Sequence, residues 1–324
     1  MITDRRGFLK QAFGLLALLA APGSLSAKID ALAGLASGAL KDDPGNFRAV
    51  YLDPDQRDEF FLFLQNVFHL YPEAEFHQII IDLVKKDSTD AQIYLALLER
   101  LPSLKPTLGD LTYALPALRK QKVEMSRQTL EFLGADPHAD GLLEIGSPGR
   151  YVSALKPRMR ITGPVYVVHD HEPSFSPEDV MERGGLAKMG QYIPQGNYDP
   201  FTPRVPERSL DLVLNFIGFH HCPLDRLDGF VGSIHSSLRP GGRFILRDHD
   251  VDRPSRWSLV ALAHDVYNAG LLISWEETHK QVRLFRSLRD WTDYLNARGF
   301  KRSEKAIAQA HDPTKNLLVE FTKT

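Results

Sequence analysis

Cysteine is almost missing from this 324-residue chain: Cys222 stands alone. A single thiol excludes an intramolecular disulfide and any zinc site built from several cysteines. Charge of one sign is missing too. The 39 Lys and Arg residues against 41 Asp and Glu leave a net charge of -2, without the basic surplus that a general nucleic-acid binder carries. No apolar run approaches the roughly 20 residues of a bilayer span; the stretch from Ala12 to Ala21 is about half that. No repeat recurs at a period of roughly 20–50 residues, which excludes solenoids and propellers. Gly and Pro are present at 23 and 21 copies but without a period, which excludes collagen-like and low-complexity chains. What is present is a globular composition, 43% hydrophobic and 25% charged, in a chain long enough to bury a core without disulfide or metal staples.

The first residues read as an address. Thr3-Asp4-Arg5-Arg6-Gly7-Phe8-Leu9-Lys10, the apolar run, and Pro22-Gly23-Ser24-Leu25-Ser26-Ala27 give a positive head, a short apolar centre and a small-residue tail. The segment resembles the bacterial twin-arginine signal, with Asp4 where that signal usually carries Ser or Thr. The resemblance implies that the twin-arginine machinery exports an already folded protein to the periplasm; without a functional signal the chain stays cytoplasmic. Cleavage is expected near Ser26 or Ala27, although Leu25 suits the cleavage site poorly, and an uncleaved segment 1–27 would be the only contact with a membrane.

Residues 28–139 read as helices with short joints, a cap or interaction region after a loose lead-in over 28–45. Asp53-Pro54 is a helix start, a capping residue followed by proline in the first turn, and Phe60 to Leu70 supply its apolar face as far as Pro72. A helix over 73–86 follows. Another is capped by Ser88 or Asp90 and ends before Pro102, and a last one over 107–133 bends near Pro116 and stops at Gly134. His69 and His77 read as packing or surface residues.

From residue 140 the pattern changes. Short apolar runs at Gly141–Ile145, Val165–Val168, Leu210–Leu214 and Arg243–Leu246 alternate with helical stretches, as in a parallel sheet with helical crossovers. A helix over 289–297 precedes two strands, Phe300–Ala308 and Asn316–Phe321, joined at Asp312-Pro313.

Three segments carry a family resemblance. Leu142-Leu143-Glu144-Ile145-Gly146-Ser147-Pro148-Gly149-Arg150 resembles the first motif of class I S-adenosylmethionine-dependent methyltransferases. Ser209–Val213, running on to Phe219-His220-His221, resembles their fourth strand and the loop after it, and Leu238-Arg239-Pro240-Gly241-Gly242-Arg243-Phe244 resembles their turn into the fifth. The resemblance covers 140–324. It implies a doubly wound, mostly parallel seven-stranded α/β sheet, a Rossmann-like fold. It also implies S-adenosylmethionine as cofactor and methyl transfer to an unidentified, small-molecule or other acceptor. By the same resemblance Gly146 and Gly149 line the cofactor's methionine end, and Glu144 and Ser147 support the turn. Asp170 or Glu172 takes the ribose hydroxyls, Asp199 lies near the adenine, and Asn215 opens the loop after the fourth strand. Pro148 stands where the family carries glycine, and it removes an N–H from the turn.

Histidines and acids gather behind the strands: His169-Asp170-His171-Glu172, His220-His221-Cys222, Arg247-Asp248-His249-Asp250 and His264-Asp265. The catalytic candidates are His220, His249, Asp250 and His264, one histidine serving as general base because its ordinary pKa lies near neutrality. Metal ligation and a purely structural role stay open beside it. No metal set is assigned, because no spacing matches a known metalloprotease or zinc-finger pattern. Arg247 reads as an anion contact or as an ion pair with Asp248 or Asp250. Two functions of other classes stand beside methyl transfer: a non-catalytic ligand-binding protein on the same fold, and a metal-dependent hydrolase using the His/Asp edge.

Overall fold

A computed structural model describes residues 45–86, 89–104, 113 and 115–324. The export signal, the lead-in up to residue 44, the Ser88 cap and the 105–112 stretch lie outside the described residues.

The chain begins with four helices: α1 (Gly45–Tyr51), α2 (Pro54–Phe63), α3 (Glu73–Val84) and α4 (Asp90–Leu104). The Asp53 side chain caps α2, accepting from the N–H groups of Asp55 and Gln56 at 3.0 and 3.2 Å. The Asp90 carboxylate reaches back to α1 and accepts from Asn46 N–H (2.6 Å) and Phe47 N–H (3.2 Å), so one acid starts its own helix and caps another. After Phe63 the chain continues through a wider turn, Leu64–Phe68, and stops at His69 with φ +44°. Both prolines behave differently from the expectation. Pro102 lies inside α4, which runs two residues further to Leu104; so near the helix end it removes only the bond to the Leu98 carbonyl. Pro116 occupies the first turn of α5 (Leu115–Leu133), where a missing N–H has no intrahelical partner to lose.

The remaining chain forms β1 (His138–Ile145), α6 (Arg150–Leu155), β2 (Arg160–His169), α7 (Pro177–Arg183), β3 (Gln191–Pro194), β4 (Leu210–Asn215), α8 (Leu224–Ser237) and β5 (Leu238–His249). These are followed by α9 (Pro254–Gly270), α10 (Trp275–His279), α11 (Leu288–Asn296), β6 (Phe300–Ala308) and β7 (Asn316–Lys323). The seven strands lie in the order β3-β2-β1-β4-β5-β7-β6. The first five are parallel, while β7 runs antiparallel to both β5 and β6. This is the doubly wound, mostly parallel sheet expected from the sequence. Its strand order reverses between β1 and β4, and in such sheets ligands bind beyond the carboxyl ends of the strands at that point. Ile145 pairs with both Val168 and Asn215, which brings the loops after β1, β2 and β4 to one edge.

Helix α9 explains where the first four helices go. It is buried from Leu259 to Gly270, its polar residues His264, Asp265 and Asn268 included, so neighbours must cover it on every side. Phe47, Phe60, Phe68, Phe76, Tyr94 and Leu97 form one cluster with Leu259, Leu262 and Val266. Gly270 permits the closest approach: a Cβ there would lie 2.7 Å from Phe68 Cζ. Tyr71 and Tyr94 donate hydroxyl bonds to the carbonyls of Gly270 (3.1 Å) and Ile273 (2.9 Å). The helices are thus fastened to the segment that follows β5, beside the carboxyl edge of the sheet.

Candidate functional site

The turn after β1 is built on two glycines with left-handed backbone, Gly146 (φ +87°) and Gly149 (φ +94°), a region closed to residues with a Cβ except at a cost. The buried Glu144 carboxylate accepts from the N–H groups of Tyr151 (3.1 Å) and Val152 (2.7 Å) and from the Ser147 hydroxyl. It therefore holds the start of α6. Burial pushes its pKa up to about 7. Ser147 accepts from Arg150 N–H at 3.0 Å. Behind the turn, Arg150 and Glu182 form an ion pair of 2.7 Å in which both side chains are buried. Burial raises the Glu182 pKa to about 7 against the attraction of Arg150.

Asp170 follows the last residue of β2, and burial raises its pKa to about 6. Its Oδ1 is buried without a hydrogen-bond partner among the described residues, as is Oδ1 of Asn215 at the end of β4. Glu172 and Asp199 are exposed and paired with Lys188 (3.2 Å) and Arg226 (3.1 Å) respectively.

The fit of S-adenosylmethionine to this edge is mixed in a specific way. The polar set suits it: two orphaned acceptors, Asp170 and Asn215, at the ends of β2 and β4, beside two glycines whose backbone a ligand can approach. The space over the glycines is filled by the chain itself. A Cβ on Gly146 would lie 2.5 Å from Ile217 Cγ2, and one on Gly149 would lie 2.5 Å from Met189 Cβ. Gly146, Ser147, Pro148 and Gly149 are all buried. The sequence signals neither cover, because Ile217 and Met189 are ordinary apolar residues in loops remote from the turn.

The second group lies across β4 and β5. His220, His249 and His264 come together, each buried. His220 Nδ1–H donates to Asp248 Oδ1 at 2.7 Å. The same carboxylate accepts from Phe219 N–H (2.7 Å) and His249 N–H (2.8 Å). His249 Nδ1–H donates to the Thr314 carbonyl at 3.0 Å, and its Nε2 lies 3.4 Å from His264 Nε2. His221 lies alongside, donating from Nδ1 to the Val282 carbonyl at 3.1 Å. Burial holds His220, His249 and His264 below the ordinary histidine value; neighbouring cationic groups add to it at His220 and His264, while Asp248 and Asp312 oppose it at His249. Burial raises Asp248 to about 6.

Asp250 does not join this group. Its Oδ1 accepts from Leu288 N–H at 2.8 Å and holds the start of α11. Asp248, which the sequence suggested only as a partner for Arg247, is the acid that orients the histidines. The only signal for it was its place beside His249. Arg247 forms no ion pair with Asp248 or Asp250 among the described residues; it donates to Gln309 Oε1 at 3.3 Å. Asp265 pairs with Arg283 and accepts from Asn46 Nδ2 at 3.2 Å, tying α9 to α1. Cys222 is buried and its thiol pKa is pushed up, as befits a packing residue.

A cavity of about 620 Å³ opens beside the histidines, between α2, α5, α9 and the end of β7's preceding loop. Arg247, His249, His264 and Tyr267 line it from one side, Phe63 and Lys120 from the other.

No protein-family model matches the chain, and no curated protein matches it. Solved structures do. A 1,6-didemethyltoxoflavin-N1-methyltransferase of Burkholderia thailandensis is 17% identical over 63% of this chain and 78% of that one, with a TM-score of 0.42. The pyocyanin biosynthetic protein PhzM is 12% identical over 84% and 74%, with a TM-score of 0.48. A putative methyltransferase of Bacillus halodurans is 14% identical over 62% and 99%, with a TM-score of 0.44. The likeness is remote, and the fold rests on the strand order and register above.

Proposed function

We propose that this protein transfers a methyl group from S-adenosylmethionine to a small-molecule acceptor held in the cavity beside the histidines. The observation that carries the reading is the pair of orphaned buried acceptors, Asp170 Oδ1 and Asn215 Oδ1, flanking a two-glycine turn at the point where the strand order reverses. When bound, the cofactor supplies an electrophilic methyl group. Asp170 takes its ribose hydroxyls, the Gly146–Gly149 backbone takes its methionine end, and Asn215 borders both. Arg247 and Lys120 give the cavity a cationic lining that suits an anionic or hydroxylated acceptor. His249 and His264, neutral and at the cavity wall, face the acceptor side. Methyl transfer draws much of its rate from positioning reactants, and the cavity walls of α2, α5 and α9 hold an acceptor beside the histidines.

The buried turn favours a second reading, a non-catalytic ligand-binding protein on the same fold, in which Ile217 and Met189 permanently occupy the cofactor's place. Titration calorimetry of the full chain with S-adenosylmethionine separates the two. Micromolar binding, weakened about 10-fold or more by Asp170→Asn, supports methyl transfer and justifies an acceptor screen. Absence of binding in both the folded wild type and an Ile217→Ala variant overturns it. The twin-arginine resemblance adds the proposal that the protein is exported after folding; fractionation of cells expressing the chain with Arg5 and Arg6 changed to Lys tests it.

A further inference from the structure

His220, His249 and His264 come from three different elements: the loop after β4, the end of β5 and the middle of α9. One ring nitrogen from each lies within 4.8 Å of the other two. A neutral imidazole has one N–H and one lone pair, so the partner of the first fixes the direction of the second. His220 gives its Nδ1–H to Asp248, and its buried Nε2 has no hydrogen-bond partner among the described residues. His249 gives its Nδ1–H to the Thr314 carbonyl, which leaves its Nε2 lone pair facing His264. Outward bonds to a carboxylate and a backbone carbonyl, with lone pairs turned to a common centre, are the support that metal-binding histidines receive. The spacing agrees. Two imidazole nitrogens at tetrahedral angles on an ion with bonds of 2.0–2.1 Å lie about 3.4 Å apart, and the Nε2 atoms of His249 and His264 are separated by 3.4 Å.

We propose that His220, His249 and His264 bind one divalent transition-metal ion of the zinc class. Three imidazoles without thiolate suit zinc, cobalt, nickel or copper, and do not suit magnesium or calcium, which take oxygen ligands. Three protein ligands also leave a coordination position open, as catalytic rather than structural zinc sites do. His249 and His264 line the 620 Å³ cavity, so that position is reached from the space assigned to the acceptor. The Phe285 ring lies 5.0 Å from His264 and 5.6 Å from His220, covering the centre with an apolar wall. Asp248 orients His220 and is a positioning residue. The inference does not rest on the methyl-transfer reading, and its test uses no cofactor.

The full chain is stripped with a chelator and dialysed against Zn²⁺ or Co²⁺. The expected result is one equivalent of Zn²⁺ by elemental analysis, and visible Co²⁺ bands of tetrahedral intensity that Zn²⁺ removes. His264→Ala is expected to weaken Zn²⁺ binding by more than about 100-fold, and Asp248→Asn by about 10–100-fold. Should His264→Ala fail to fold, as read by circular dichroism, X-ray absorption of the Co²⁺-loaded wild type counts the imidazoles directly; three support the site and two or fewer overturn it. Folded wild-type protein holding less than about 0.1 equivalent overturns it as well, leaving His249 and His264 as an N–H···N hydrogen-bonded pair. So does one equivalent retained unchanged by a folded His264→Ala chain.

Discussion

Truncating Ile217 separates a covered cofactor site from a permanently filled one. Ile217 is 7% exposed and belongs to the core cluster on one face of the sheet, and its branched end lies over Gly146. Ile217→Ala removes buried carbons and leaves a void over the turn, at a cost of about 2–5 kcal/mol. In a chain of this size that lowers Tm by roughly 5–15 °C. If the void is the place of the cofactor's methionine end, S-adenosylmethionine fills it. A ligand at 100 times its Kd returns about 2.7 kcal/mol, so most of the loss is recovered at saturation. The wild type must first turn Ile217 aside, at about 1 kcal/mol for leaving its rotamer and contacts. The variant is therefore expected to bind about 5–10-fold more tightly. Differential scanning fluorimetry with and without cofactor, followed by calorimetry, reads both quantities. A folded variant that loses stability and gains none of it back at millimolar cofactor would refute the reasoning.

Three further outcomes follow from the packing. Arg150→Met leaves the Glu182 carboxyl buried without its cation and is expected to cost about 3–5 kcal/mol at pH 8; because Glu182 already titrates near pH 7, denaturation at pH 5.5 should show a smaller loss, and equal losses at both pH values would contradict the account. His171, hydrogen-bonded to Asp179, has its pKa raised by that bond. The pair's contribution to stability is complete below the ordinary histidine value and lost as pH rises through the raised one. NMR titration should find His171 above 6.5 and returned towards that value in Asp179→Asn. Gly270→Ala, at the last residue of α9, gains at most about 1 kcal/mol of helix propensity but drives a Cβ to 2.7 Å from Phe68 Cζ. Overpacking of about 1–3 kcal/mol should win, and a stabilised variant in thermal melts would show that the Leu64–Phe68 turn and α9 are loosely joined.

The sequence by itself determined the local features. Alternating apolar runs and helical stretches fixed the α/β class, because strand and helix periods are read within a few residues. Asp53-Pro54 marked the start of α2, and Gly146 and Gly149 marked the turn after β1, because a capping side chain acts within its own turn and glycine takes positive φ at the least cost. The histidine edge was legible in part: residues after parallel strands emerge on one side of a sheet, which brought His220 and His249 into view together. Tertiary structure decided the rest. Pro116 and Pro102 were misplaced because a proline's effect depends on where a helix starts and ends, which packing sets. Asp250 and Asp248 are separated by two positions and have opposite fates, one holding α11 and the other holding His220, since the direction of a side chain at a strand end follows from the loop it meets. The covers over the glycine turn come from Ile217 and Met189, whose partners are tens of residues away. The convergence of three imidazoles likewise needs β4, β5 and α9 to be brought into contact, and that contact is made by burial of apolar faces, a force without sequence direction.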